Sequence, residues 1–356
     1  MLAPPWIAVP PRGYGGIESV VELLCSALVR AGHAVTLFAA PGSRSAAEVV
    51  FVLERAHPDE INQSHYEADH VAVSFELIER ASVPFDVVHD HCGFTALAMA
   101  DRLAVPLVHT VHGAFTRDMR AFYARHGHRG QVVAISSSQA SAAPESLRIA
   151  GVVPNPIEVG SWPFRVEKDA YLLWVGRMTE EKGAHRAIEV ARLARLPLVL
   201  AGPVQSGQAD YFETRIAPHV DGRAVRYVGE AGWQLKRDLF ARARALLMPI
   251  RWAEPFGLVM VEALACGTPV LAFAEGAAPE IVEHGRTGFL VRDEEEMAAA
   301  AWRTERISPA NCRAHAFARY DAARVASAYV EVYRRAVEPA RRLLSRAPPL
   351  GLASGA

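Results

Sequence analysis

The chain has 356 residues, 51% hydrophobic and 22% charged, the balance of a globular protein with sizeable cores, and this length suits two domains of roughly 150–180 residues better than one. A formal net charge of −1 excludes a general pull toward nucleic acid or an anionic membrane surface. Cys25, Cys92, Cys266 and Cys312 lie far apart with no Cys-x-x-Cys pair, which argues for a reducing compartment and against a disulfide framework or a zinc site.

At the N-terminus, Pro4, Pro5, Pro10 and Pro11 interrupt any apolar signal core. No later segment holds the ~18 apolar residues that span a bilayer. The reading is a cytoplasmic protein, with peripheral attachment at the inner face of a membrane left open. Only Met1-Leu-Ala3 precedes the prolines, so either the first strand is very short or the native chain starts upstream of Met1. The loop from Pro10 to Glu18 then opens a helix over Ser19–Ala31. Its Gly15 and Gly16 allow a ligand to approach backbone amides, although the spacing is not that of a dinucleotide fingerprint and a ligand-free tight turn fits it equally.

Residues 43–80 show a helical tail but no clear strand. Elsewhere short apolar runs alternate with helical periods. The strands are expected at Ala34–Ala39, Phe85–His89, Leu107–Thr110, Val132–Ser136, Tyr171–Gly176, Leu198–Gly202, Val225–Gly229, Ala245–Pro249 and Pro269–Phe273. Helices are expected at Phe94–Leu103, Ala184–Ala194, Lys236–Ala243 and Asp321–Val337. This β-α alternation predicts parallel sheets covered by helices, the doubly wound α/β class. It pauses at Pro154-Asn-Pro-Ile157 and Gly160-Ser-Trp-Pro163, which places a junction near 155–169. The expected division is 1–158, 159–320, a closing helix 321–338 and a flexible tail 339–356. Two such domains facing each other leave a cleft at the C-terminal ends of both sheets, where ligands bind in this class.

The densest chemistry lies in Glu254-Pro-Phe-Gly-Leu-Val-Met-Val-Glu262. Pro255 stops any earlier helix, Gly257 permits close backbone approach, and Leu258, Val261, Leu264 and Ala265 supply a buried stripe that Gly267 ends. Glu254 then lies in the loop before a short helix and Glu262 about one and a half turns into it. Between them are the free N–H groups of a helix N-terminus, a site for phosphate. Two acids around an anion site suit a ligand with hydroxyls beside phosphates.

Arg177 and Lys182, in Val175-Gly-Arg-Met-Thr-Glu-Glu-Lys-Gly183, hang over the C-terminal edge of the second sheet just past Gly176. An Arg fork beside a compact Lys charge can offset a departing diphosphate, while a solvated loop with its charges paired is the bland alternative. Gly202 and Gly229 end strands at the same edge. His112 follows a strand end, with Gly113 giving room, and can contact a sugar hydroxyl or simply bond neighbouring backbone. A metal reading of His89, His91, His109 and His112 lacks third and fourth ligands at motif spacing. Ser136 reads as a helix N-cap, and Gly276–Glu280 with Thr287-Gly288 as turns and a helix start of structural value.

In chain order, Gly15-Gly16-Ile-Glu18, Val87-Val-His89, His112-Gly113, the Arg177–Gly183 segment, Glu254 through Glu262, and Gly267-Thr-Pro-Val270 together resemble the retaining glycosyltransferases of family 4. The resemblance covers nearly the whole chain and implies the GT-B architecture, two Rossmann-like domains facing across a cleft. It also implies a nucleotide diphosphate sugar as donor and a hydroxyl acceptor on a glycan, lipid or small molecule, with no metal or other cofactor. Glu254 then touches donor sugar hydroxyls, while Phe256, Gly257 and Leu258 offer backbone amides and Glu262 holds the ribose. Arg177 and Lys182 bind diphosphate, Gly15, Gly16, Gly176 and Gly202 lie beside the donor, and His112 faces the sugar from the other domain. The helix Asp321–Val337 crosses back onto the first domain, and the loops Trp6–Tyr14 and 43–80 face the acceptor. The sequence names neither nucleobase nor sugar; by frequency among such enzymes, uridine diphosphate glucose or a related hexose is the first expectation for the donor and guanosine diphosphate mannose the next. The competing readings are a GT-B-shaped sugar-nucleotide epimerase or phosphorylase, a non-catalytic sugar-nucleotide-binding protein, and a His-metal hydrolase.

Overall fold

The apolar runs pair as parallel strands in two separate sheets. A computed structural model describes residues 1–13, 15–61, 63–205 and 207–346. The first half contributes β1 (Thr36–Ala39), β2 (Glu48–Phe51), β3 (Val88–Asp90), β4 (Leu107–Val111), β5 (Gln131–Ala134) and β6 (Ile149–Val152). The second contributes β7 (Leu172–Val175), β8 (Leu198–Ala201), β9 (Val225–Tyr227), β10 (Ala245–Met248), β11 (Val270–Phe273) and β12 (Gly288–Val291), in the order β12-β11-β10-β7-β8-β9. Every pairing is parallel, as β-α alternation with buried strands requires.

The short opening run does form a strand position. Leu2 makes parallel bridges to both Phe38 and Asp90, so Met1–Ala3 lies between β1 and β3. Leu2 N–H donates to the His89 carbonyl at 2.8 Å and Ala3 N–H to that of Phe38 at 2.9 Å. Those bonds join the β1–β2 pair to the β3–β6 sheet, and Leu2 is fully buried in the first core with Phe75 and Leu97. The second core surrounds the fully buried Trp174, Phe240 and Phe273.

Three strands escape the sequence reading. β2 occupies the stretch expected to hold no strand; it is a half-exposed edge whose adjacent valines break alternation. β6 contains Gly151, and its register against β5 shifts between Val132 and Val133, the irregularity a strand glycine marks. β12 begins at Gly288 rather than ending in a turn there, because a Cβ at that position would lie 1.9 Å from the Val270 carbonyl oxygen. Only glycine lets the two strands approach.

The chain crosses between the halves twice at one place. Ile157 N–H donates to the Tyr320 carbonyl at 2.8 Å, and Ala322 N–H to that of Ile157 at 2.9 Å. From there the helix Ala322–Arg346 packs on the first half against Leu24, Val108 and Val133, and Tyr329 bonds the Thr110 hydroxyl at 2.9 Å. The sequence places the end of this helix at 337–338 and a flexible tail after it. The helix instead continues through Pro339 to Arg346. Proline removes one N–H without destroying the register, and the Ala-Arg-Arg-Leu-Leu run beyond it favours helix. Residues 347–356 lie outside the described residues, as does Tyr14 of the expected acceptor-side loop. Among the described residues no helix is long and apolar enough to cross a membrane.

Candidate functional site

The second-half site is assembled from strand ends. Past β7, Gly176 leads into a tight turn at Glu180–Lys182, closed by Gly183 in the left-handed region (φ 75). A side chain at Gly183 would strike the Pro249 carbonyl at 2.5 Å, and Trp174 Nε1–H holds the Lys182 carbonyl at 3.0 Å. The turn therefore has one position, which aims Lys182 at Glu254. The two form an ion pair with side chains 16% and 15% exposed, and the Lys182 ammonium lies 5.0 Å from the Trp252 ring centre. Arg177 reaches toward Gln205 at 3.3 Å.

Glu254 is held by its backbone. Its N–H donates to the Trp252 carbonyl at 2.8 Å and its carbonyl accepts from Ala277 at 3.0 Å. Gly257 (φ 90) is the N-cap of the helix Leu258–Ala265, and Met260 through Ala265 are all buried. Glu262 sits inside this helix, 8% exposed, with Oε1 accepting from Lys236 Nζ at 2.7 Å. Its Oε2 is buried with no partner among the described residues. An unsatisfied buried oxygen costs about 1–3 kcal/mol, a penalty that a ligand hydroxyl removes.

The first half meets this surface at a second helix N-terminus. Gly15 is the N-cap of Gly16–Arg30, and a Cβ on Gly16 would lie 3.4 Å from the Leu258 side chain. Two helix starts thus face each other across the cleft, one of 15 residues and one of eight. Each contributes a partial positive charge and free N–H groups. With Arg177, Lys182 and Lys236 beside them, the cleft attracts a polyanion. The cleft is open to solvent and lined from both halves, by Gly13, Gly15, Gly16 and Ser19 on one side and Arg177, Lys182, Lys236, Glu254 and Glu262 on the other.

The cleft gathers most of the sequence-derived residues: Gly15 and Gly16 from the first half, then Gly176, Arg177, Lys182 and Gly202. Glu254, Gly257, Leu258 and Glu262 complete the set. Two expected residues stand apart. The Phe256 side chain is 4% exposed and lines a neighbouring cavity, its ring 5.8 Å from that of Tyr320. His112 is half-buried at the end of β4, with Nε2 2.9 Å from His91 Nδ1, and does not line the cleft. Burial lowers its imidazole to about 3, so it is neutral at physiological pH. His89 spends both ring nitrogens on Tyr333 and Thr110, and His109 on Asp90 and Tyr123, while His91 Nε2 is buried with no partner among the described residues. Among the described residues no group of three or more His, Cys, Asp or Glu is arranged to hold a metal ion.

Lys236 is the site residue that sequence reading missed. It lies in the first turn of the helix Trp233–Arg242, just after the end of β9. That position was the available signal, since the first helical turn after a parallel strand faces the ligand edge of the sheet.

Glu18 lies directly beneath the glycine loop and is 5% exposed. A Cβ on Gly15 would fall 3.1 Å from its Oε2. Burial raises this carboxyl from 4.5 to about 7 against the stabilising effect of its own N–H. The folded state therefore binds the proton more tightly. Its stabilisation is complete below pH 4.5 and is lost as pH rises through about 7. The total is on the order of 3 kcal/mol. Glu18→Gln should flatten the stability profile across that window and melt above wild type at pH 8; urea midpoints from pH 4 to 8 check this.

The chain is similar to known proteins along nearly its whole length. Residues 14–161 match the model described as Glycosyltransferase Family 4, and residues 162–321 match Glycosyl transferases group 1. The glycogen synthase of Mycobacterium tuberculosis is 30% identical over 402 aligned positions, covering 95% of each chain. AviGT4, a glycosyltransferase involved in avilamycin A biosynthesis, is 27% identical with a TM-score of 0.69, covering 97% of this chain and 95% of its own. HepE from Anabaena, solved with UDP-glucose, shares the fold at 21% identity and a TM-score of 0.68, covering 96% of this chain and 98% of its own. The two facing parallel-sheet halves are the GT-B architecture, and the chain belongs to the group 1 glycosyltransferases of family 4.

Proposed function

We propose that the chain moves a hexose from a nucleotide diphosphate sugar to an acceptor hydroxyl, with retention at the anomeric carbon and without a metal. One observation carries the reading: Glu254 and Glu262 flank the start of one buried helix, each is paired with its own lysine, and a second helix N-terminus faces them. A diphosphate belongs between the helix starts, beside Arg177, Lys182 and the glycines at 15, 16, 176 and 202. The buried, unpartnered Oε2 of Glu262 suits a ribose hydroxyl. Glu254 is placed for sugar hydroxyls. The HepE neighbour was solved with UDP-glucose, which makes uridine diphosphate glucose the first donor to try; guanosine diphosphate mannose is the second.

In the step we propose, the acceptor oxygen forms its bond to the anomeric carbon on the face the phosphate is leaving. The acceptor proton passes to the departing phosphate oxygen. The protein supplies positioning and charge, with Arg177 and Lys182 offsetting the diphosphate. His112, neutral because of its burial, is suited to hydrogen bonding and not to proton transfer at neutral pH. The test is the anomeric configuration of the product by NMR, with and without strong chelator. Retention at an unchanged rate is expected. Inversion, or loss of turnover in chelator, contradicts the reading. An isomerised donor formed without acceptor points to an epimerase instead.

A further inference from the structure

Outside the donor cleft, one side chain spans the two halves. Glu280, in the short helix Ala278–Ile281 of the second half, accepts from the Ser137 N–H at 2.8 Å through Oε2 and from the Ser138 N–H at 2.6 Å through Oε1. These amides open a helical turn of the first half, where no helical carbonyl is available to them. A carboxylate receiving two backbone N–H groups makes a charge-assisted, geometrically specific contact. It lies close to the double crossing at Ile157 and Asp321: Ser136, Pro154, Phe256, Arg319 and Tyr320 line the cavity beside it.

The same loop is fastened to the donor site. A Cβ on Gly276 would lie 2.5 Å from both the N and O atoms of Glu254, so the two backbones touch. Ala277 donates to the Glu254 carbonyl at 3.0 Å, and Glu280 N–H donates to the Ala277 carbonyl at 3.0 Å. A shift of the first half against Glu280 is therefore transmitted within one helical turn to the backbone of Glu254.

We infer that Glu280 is a positioning residue whose carboxylate latches the two halves beside the hinge and fixes Glu254 relative to the first half. Its kinetic consequence rests on the glycosyl-transfer reading; its structural consequence does not. The side chains assigned to the nucleotide, Arg177, Lys182 and Glu262, all lie in the second half, so loss of the latch disturbs turnover and leaves most of the UDP contact in place.

Two variants break the latch from opposite sides. Glu280→Ala removes the carboxylate. Ser137→Pro removes one donor at the first helical position, where proline is tolerated and the extended Ser136 before it (φ −154, ψ 160) is compatible. Each should lower turnover at least tenfold while the dissociation constant for UDP, measured by calorimetry, stays within threefold of wild type. Small-angle scattering should report a larger radius of gyration for both. Glu280→Gln, whose amide oxygen still accepts one N–H, should fall between them and wild type. Turnover within twofold of wild type overturns the inference, as does a parallel loss of turnover and UDP affinity. If the wild-type protein transfers no sugar, the glycosyl-transfer reading fails, and scattering alone decides the latch: expansion in both variants sustains it and an unchanged radius overturns it.

Discussion

Lys182→Ala is expected to lower turnover by about a hundred- to a thousandfold, the loss seen when one preorganised group facing developing charge is removed. The reason lies in how the residue is held. Trp174 fixes its carbonyl, Gly183 fixes the turn, and the ammonium is presented to the cleft without reorganisation. In the free protein that charge is matched by Glu254. On the proposed reading, an entering diphosphate gives the ammonium a second anion and frees Glu254 for sugar hydroxyls. The variant should remain folded, because the Glu254 side chain keeps 15% exposure to the water of the cleft. Steady-state kinetics beside a circular-dichroism melt separate the two effects. Wild-type-like turnover in a well-folded Lys182→Ala protein would remove the leaving-group role.

Gly202→Ala should be the most damaging single methyl group in the donor site. Gly202 has φ 147, a conformation L side chains rarely adopt, and its Cβ would lie 1.7 Å from the Gly176 carbonyl oxygen. No side-chain rotation relieves a clash between a Cβ and backbone. The residue also ties neighbouring strand ends together: its N–H donates to the Gly229 carbonyl at 2.8 Å, and its own carbonyl accepts from the Tyr227 hydroxyl at 2.8 Å. Accommodating the methyl must separate β7 from β8 at the edge that carries Arg177. We expect a loss of about 3 kcal/mol in stability from strain and overpacking, with donor affinity down more than tenfold. Two controls sort the causes. Gly222 has φ 75 with nothing near its missing Cβ, so Gly222→Ala should cost about 1 kcal/mol through backbone conformation alone. Gly232 has neither constraint but is the N-cap of the helix Trp233–Arg242, so Gly232→Ala should cost no more than about 1 kcal/mol.

What the sequence disclosed follows from which contacts are local. The spacing of Glu254 and Glu262 states their relation to one helix start, because both belong to that helix and the loop before it. Likewise Gly176, Arg177 and Lys182 follow a strand end, and a parallel strand end faces the ligand edge. Contacts between distant elements leave no such trace. The Lys236–Glu262 pair joins two helices, and Glu280 meets the Ser137 amide across 143 positions. The turn containing Glu280 reads as structural in sequence because its partner is invisible there. Edge strands β2 and β6 were lost for a related reason: exposure and glycine erase the apolar run that announces a buried strand. Met1–Ala3 reads in sequence as a very short first strand or the remnant of a longer one, and pairing on both sides places it inside the first sheet.

Calorimetric titration of UDP-glucose and guanosine diphosphate mannose in chelator asks whether these residues hold a nucleotide sugar between the two halves. One-to-one binding of one of them is expected, weakened at least tenfold by Glu262→Ala. Failure of both donors to bind the folded protein, or binding that Glu262→Ala leaves unchanged, would contradict it.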